Sequence, residues 1–204
     1  MAKAIKAIAF SGLLSLAATY AALAEENYVN VQVKATPWSQ GWSVGLHLGR
    51  AIDKSVRTLG AFNPLAVGYT DYGLVSLGVR KRLADYGPYF SLYSELNISR
   101  IFGDEEYSEV FFTPTVSWNL FPWDNVVDTS ASIGVGLSYT SIESNLDNSG
   151  KNLMASMIFE LEFKLPEYEK LSLFTRIHHR STAGIFANGG GSNFYAVGLR
   201  YNFN

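Results

Sequence analysis

Two side chains near the carboxyl end of the chain have the residue types needed for acyl transfer. His179 and Ser181 are separated by one residue. A serine hydroxyl becomes a nucleophile when an imidazole takes its proton, and a third polar group usually holds that imidazole in place. Asn193 is the candidate for the third group, because its side-chain oxygen can accept a hydrogen bond from a ring N–H. This pattern is short and occurs often by chance, so whether it indicates a site depends on the secondary-structure elements in which the three residues lie.

These residues can meet if they lie on two neighbouring β-strands. Alternate residues of a strand share a face, so His179 and Ser181 lie on one face and His178 lies on the other. A hairpin centred near Phe186 pairs His179 with Asn193. Residues two apart on a strand are about 6.6 Å apart at Cα. An imidazole that leans along the strand can therefore approach the serine.

The rest of the chain alternates between apolar and polar residues with a period of two, which predicts β-strands. From Leu153 to Leu165, large apolar side chains occupy one face and Glu160 and Glu162 lie on the other. The alternation predicts eight strands, at 62–70, 73–83, 87–100, 108–121, 128–142, 152–165, 170–181 and 192–203. Residues 25–60 are ambiguous. They fit two more strands, which would make ten, or one strand with an irregular lead-in.

This pattern favours a membrane barrel. After Ala24, no run approaches the ~18 apolar residues of a transmembrane helix, whereas barrel strands need only ~9–11 alternating residues. A barrel would hold charges of both signs in its lumen, where they can pair: Arg80, Glu95, Glu160, Glu162, Lys164, Arg176 and Arg200. We therefore predict an all-β fold, an antiparallel up-and-down transmembrane β-barrel over 61–204, with eight strands or, alternatively, ten.

The first 24 residues have the features of a secretory signal peptide. Lys3 and Lys6 precede an apolar stretch over 8–22, and Ala22-Leu23-Ala24 is a small-x-small cleavage site. We expect residues 1–24 to be removed during export and the barrel to lie in the cell outer membrane.

The composition argues against several classes of function. The chain has no cysteine, which excludes a disulfide scaffold, a thiolate zinc site and a cysteine nucleophile. A net charge of −2 offers no basic surface for nucleic acid. The three histidines lack a metal-binding spacing, and the glycines at 189–191 are not accompanied by the lysine of a phosphate loop. No metal or other cofactor is expected.

The last hairpin resembles a known family. The sequences RIHHRSTAG at 176–184 and GGSN at 190–193 are similar to the outer-membrane lipid A 3-O-deacylase (acyloxyacyl hydrolase-like) family. A looser likeness extends over 108–203 and includes FTP at 112–114 and ASIGVG at 131–136. The resemblance implies an eight-stranded outer-membrane barrel that removes an ester-linked acyl chain from lipid A. Lipopolysaccharide is then the expected partner, and no cofactor is implied.

The same resemblance implies roles for five residues. Ser181 matches the nucleophile, His179 the base, and Gly184 a glycine of the oxyanion hole. Asn193 stands where the family has a glutamate, so it can orient the imidazole but supplies no charge. Thr182 stands where an asparagine usually follows the nucleophile, at the second position assigned to the oxyanion hole.

Three classes of function remain open from the sequence. The first is an outer-membrane esterase acting on lipid A. The second is a structural or adhesive outer-membrane barrel that retains a remnant of the site. The third is a soluble periplasmic β-sandwich or a lipocalin-like binding protein. The sequence also leaves open the acyl position and chain length, and whether the protein is a monomer or a homodimer.

Overall fold

The computed structural model describes residues 32–53, 55–56, 63–148 and 151–203. Its strands are β1 (Val33–Ala35), β2 (Trp42–Ile52), β3 (Tyr69–Tyr86), β4 (Phe90–Phe102), β5 (Tyr107–Trp118), β6 (Asp128–Thr140), β7 (Leu153–Lys164), β8 (Leu171–Ser181) and β9 (Gly191–Asn202). The proposed signal peptide, 1–24, lies outside the described residues. Across the described ranges, no helix has the length and apolar character needed to cross a membrane.

Strands β2 to β9 form a closed, antiparallel, up-and-down barrel of eight strands. Each strand pairs with its neighbours in the chain, and β2 closes the barrel by pairing with both β3 and β9. Leu46, for example, lies opposite Leu77 on one side and Leu199 on the other. The short β1 lies outside the closed ring and pairs only with the end of β3, where Val33 faces Tyr86. The predicted count of eight barrel strands is confirmed.

The predicted first strand is wrong, because the barrel begins at β2 and not at 62–70. Residues 64–67 form turns and bends, and of the described residues 63–70 only Tyr69 and Thr70 are in a strand. Pro64 has no N–H to donate to a ladder, which disfavours a strand with partners on both sides. The ambiguous segment 25–60 therefore contributes β1 and β2, and the barrel starts before residue 61.

The barrel exposes its apolar face and buries its polar face. Leu46 is 54% exposed and Val135 is 53% exposed, whereas Glu160 is only 3% exposed. A soluble barrel buries its large apolar side chains instead. The soluble alternative is therefore excluded. The strands place apolar side chains outward and polar side chains inward, as in outer-membrane barrels.

A network of paired charges fills part of the lumen. Its members are Arg80, Glu95, Glu160, Glu162, Arg176 and Arg200. Arg80 lies 2.6 Å from both Glu95 and Glu160. Arg176 contacts the same two carboxylates at 2.6 and 2.5 Å. The predicted pairing is confirmed for these six residues, but Lys164 lies apart, 2.6 Å from Asp128 and partly exposed.

The two ends of the barrel differ. We call the end with the connections 87–89, 119–127 and 165–170 the turn end, and it also holds the last residues of β9. The other end, the loop end, has the connections 53–68, 103–106, 141–152 and 182–190. The residues with candidate chemistry are at the loop end.

Candidate functional site

The β8–β9 hairpin brings His179 and Asn193 together. The two residues are paired in the strand register, and His179 Nδ1 lies 2.7 Å from Asn193 Oδ1. An amide oxygen only accepts hydrogen bonds, so Nδ1 carries the ring proton and donates it. The neutral imidazole then has its unprotonated nitrogen at Nε2, which is the tautomer that a general base requires.

Ser181 lies two residues beyond His179, on the same outward face of β8. It is half-buried and faces two small residues, Ala155 on β7 and Gly191 on β9. Gly191 has a φ of +148°, and a Cβ there would lie 2.4 Å from the Arg180 carbonyl oxygen and 3.1 Å from Ser181 Cβ. Only glycine therefore leaves the space beside the serine open.

The site is partly buried although its face of the barrel points outward. Asn193 is only 8% exposed, whereas Leu173, nearer the turn end on the same face, is 49% exposed. Partial burial strengthens the hydrogen bond between His179 and Asn193, because fewer water molecules compete for it.

An open groove of about 610 Å³ lies beside the site on the outward face. Residues of β2, β7, β8, β9 and the β2–β3 connection contribute to its lining: Leu48, Arg50, Pro64, Phe163, Leu173, Thr175, Tyr195 and Val197. Tyr195 pairs with Ile177, which is one outward position from the pair of His179 and Asn193. Thr175 Oγ1 donates to the Tyr195 hydroxyl oxygen over 2.8 Å. None of His179, Ser181 and Asn193 lines the groove. It begins one outward position from the site, at Tyr195, and runs towards the turn end along mostly apolar side chains.

The two residues assigned to the oxyanion hole differ in their surroundings. Thr182 is buried. Its hydroxyl donates to the Gly189 carbonyl oxygen over 2.9 Å, and its backbone N–H donates to the Gly190 carbonyl oxygen over 3.4 Å. Thr182 therefore closes the base of the 182–190 loop with both of its donors. Gly184 lies in the turn that follows, with a φ of +71° and open space where a Cβ would stand. Of the two, Gly184 alone has surroundings that admit a substrate.

The other two histidines point into the barrel. His178 is buried, with its ring 4.1 Å from that of Phe111 and its Nε2 3.3 Å from Glu109, in a geometry that makes no hydrogen bond. His47 packs against Phe174 with ring centroids 5.6 Å apart. Within the described ranges, no group of three or more histidine or acidic side chains could hold a metal ion.

Sequence reasoning placed His179, Ser181 and Asn193 on one face, and the structure brings them to the loop end of that face. It missed the groove, whose lining comes from strands far apart in the chain. The sequence did contain one signal of the groove. Thr175 and Tyr195 carry hydroxyl groups at outward positions, where most residues of these strands are apolar.

Comparison with known structures supports the fold. No family model matches the chain, and no curated protein matches it. The outer membrane enzyme PagL superposes with a TM-score of 0.58 at 14% identity, over 79% of this chain and 99% of that chain. A structure from the de novo design of transmembrane β-barrels superposes at 0.50 with 11% identity, over 83% of this chain and 99% of that chain. At such identities the likeness shows the fold alone, an eight-stranded barrel of the outer-membrane type.

Proposed function

We propose that this protein is an outer-membrane esterase that removes an ester-linked acyl chain from lipid A. The observation that carries the proposal is the 2.7 Å hydrogen bond between His179 Nδ1 and Asn193 Oδ1, on the outward wall of the barrel beside Ser181. Polar groups on a surface that faces hydrocarbon are costly unless they are paired or used. Here the pairing also selects the tautomer of a base.

In the proposed reaction, His179 Nε2 takes the proton from Ser181 Oγ as that oxygen attacks the ester carbonyl carbon. The Gly184 N–H stabilises the negative oxygen of the tetrahedral intermediate. The imidazolium then gives its proton to the leaving alkoxide, which departs as the sugar hydroxyl and leaves an acyl-serine. Water, deprotonated by His179, hydrolyses the acyl-serine and releases the fatty acid.

The position of the groove supports a lipid substrate. An ester carbonyl at Ser181 could lie at the depth of the headgroups while its hydrocarbon chain extends along Leu173 and Val197 towards the turn end. A substrate in the outer leaflet would thus reach the site from the side, without leaving the membrane.

Asn193 makes the proposed enzyme slow. Replacement of the acid by its amide in a serine protease lowers the rate roughly 10⁴-fold, or about 5 kcal/mol, through the wrong tautomer of the histidine. The loss expected here is smaller, because Asn193 Oδ1 holds the correct tautomer and only the negative charge is lacking. Both donors of Thr182 are used within its loop. These two features favour the second candidate function, a structural outer-membrane barrel that retains the site without turnover.

Mass spectrometry of lipid A separates the two functions. Lipid A would be incubated with the purified barrel in detergent, using wild type, Ser181→Ala and Ser99→Ala. Ser99 is the control because its buried hydroxyl bonds to Ser76, between β3 and β4, away from the site. We expect loss of one acyl chain with wild type and Ser99→Ala, and none with Ser181→Ala. Intact lipid A with wild type would favour the structural barrel, and equal loss with Ser181→Ala would overturn the assignment of Ser181 as the nucleophile.

A further inference from the structure

Asp147 is a buried carboxylate that reaches the barrel interior from the 141–152 connection. It ends a short 3₁₀ helix, Asn145–Asp147, in which the Leu146 N–H donates to the hydroxyl of the N-cap residue Ser144. Glu105, in the neighbouring 103–106 connection, accepts hydrogen bonds from Ser144 Oγ at 2.7 Å and from the Asn145 backbone at 2.9 Å. The start of the helix is thus fixed to the 103–106 connection, and its last residue, Asp147, is buried in the lumen.

The two oxygens of Asp147 contact two different strands. Oδ2 accepts from Arg180 on β8, and Oδ1 accepts from the Ser192 hydroxyl on β9 over 2.7 Å. Arg180 and Ser192 are themselves paired in the strand register. They are the inward residues directly next to the outward pair of His179 and Asn193. One carboxylate therefore ties β8 to β9 immediately behind the site.

Arg180 is held by further contacts, so this tie is rigid. Its Nε donates to Ser138 Oγ over 3.0 Å, and its Nη2 donates to the Asn152 carbonyl oxygen over 2.6 Å. Arg180 and Asp147 are both buried and satisfied in several directions. Such networks hold neighbouring backbone more firmly than single hydrogen bonds do.

We propose that Asp147, Arg180 and Ser192 form a clamp, here called the Asp147 clamp, that positions Asn193 against His179. None of the three lies on the outward face, so they are positioning residues and not catalytic residues. The β8–β9 ladder sets the spacing of the two strands. The clamp holds the backbone of Arg180 and Ser192 at the loop end of that ladder, which keeps Asn193 Oδ1 within hydrogen-bonding reach of His179 Nδ1. The effect on turnover rests on the proposed esterase function, whereas the effect on the imidazole does not.

Ser192→Ala tests the clamp. Asp147→Ala would also leave Arg180 buried without its carboxylate and lower the stability of the barrel, whereas Ser192→Ala keeps that ion pair and removes only the tie to β9. Ser99→Ala again serves as the control, as an inward serine that links two other strands.

The first measurement is the tautomer of His179 by nitrogen NMR, on protein with ¹⁵N-labelled histidine in detergent micelles. The signals are assigned with His179→Ala. We expect a single Nδ1–H tautomer in wild type and in Ser99→Ala, and a mixture of both tautomers in Ser192→Ala. An unchanged single tautomer in Ser192→Ala would overturn the clamp.

The second measurement is hydrolysis of lipid A. We expect Ser192→Ala to lower kcat by about 10-fold and to leave KM within about twofold of wild type. A misplacement of about 1 Å in an active site can lower the rate on the order of 10²-fold. In an Asn193→Ala background, Ser192→Ala should have no further effect, because the two act through one hydrogen bond. Additive losses would overturn the clamp. If Ser192→Ala shifts the tautomer but the wild-type protein shows no Ser181-dependent hydrolysis, the esterase function is overturned and the clamp stands.

Discussion

His178 and His179 are consecutive in the chain and lie on opposite sides of the barrel wall. His178 is buried in the lumen against Phe111, whereas His179 bonds to Asn193 on the outward face. The strand period of two separates them. Two chemically identical side chains thus have different surroundings, which makes their substitution a direct test of the site.

We expect His178→Ala to affect stability and His179→Ala to affect turnover. Loss of the buried His178 ring leaves a cavity beside Phe111, and the free energy of unfolding should fall by about 2–4 kcal/mol. Loss of His179 removes the base, and lipid A hydrolysis should fall at least 10³-fold. Urea unfolding and deacylation rates measure the two effects. Equal effects of both substitutions on both properties would contradict the assignment of the two faces.

Asn193→Glu should accelerate hydrolysis. A carboxylate in place of the amide would stabilise the imidazolium that forms as His179 takes the serine proton. We expect a gain in rate smaller than about 10⁴-fold, since Thr182 adds no donor to the oxyanion hole. Asn193→Gln is the matched control, with the same longer side chain and no charge. Deacylation kinetics compare the three proteins, and a Gln variant as fast as the Glu variant would argue against a role for charge.

The charge network of the lumen should be a large determinant of stability. Glu160 accepts hydrogen bonds from Arg80, Arg176 and Arg200, so Glu160→Ala leaves buried cations with too few partners. We expect a loss of about 3–5 kcal/mol. Glu106→Ala removes an exposed partner of Arg100 and should cost at most about 1 kcal/mol. Denaturant titration of folded barrels measures both, and similar losses would contradict the inference that burial decides the cost.

The 141–148 segment should loosen in acid. Hydrogen bonds from Ser144, and then those from Asn145, hold the pKa of Glu105 below its ordinary value of 4.5. A carboxyl group whose folded pKa is lowered stabilises the fold above its unfolded pKa, and that contribution is lost as the pH falls through the folded value. Amide hydrogen exchange over 141–148, corrected for its intrinsic pH dependence, should therefore show less protection below about pH 4.

Glu105→Gln is the control for this effect, because the amide does not titrate in that range. Protection of 141–148 in this variant should change little with pH. If wild type and variant lose protection in parallel, another group is responsible.

The protein should behave as an outer-membrane barrel in cells. Its exposed apolar face, with Leu46 and Val135 as examples, requires a hydrocarbon environment. We expect recovery from the outer-membrane fraction and faster migration on a gel when the sample is not boiled, because the closed strand ladder keeps the barrel compact in detergent. Recovery from the soluble periplasmic fraction would contradict this localisation.

The sequence by itself determined which face most residues of β3 to β9 occupy. Alternation with a period of two is a local property, so Leu161 and Glu162, for example, were assigned to the correct sides of β7 without knowledge of their neighbours. The pairing of His179 with Asn193 was also local, since a single hairpin fixes its register. The fold class and the gathering of the three candidate residues therefore followed from the sequence.

Only the tertiary structure decided which segments close the barrel. Val44, Leu46 and Leu48 alternate as clearly as other segments, but whether they form the first strand depends on β2 finding β9, at the far end of the chain. Asp147 is likewise a loop residue without a pattern, and its contacts with Arg180 and Ser192 arise only when the barrel is closed. Local alternation reports the face of a residue, whereas closure and the contacts behind the site depend on the free energy of pairing distant segments.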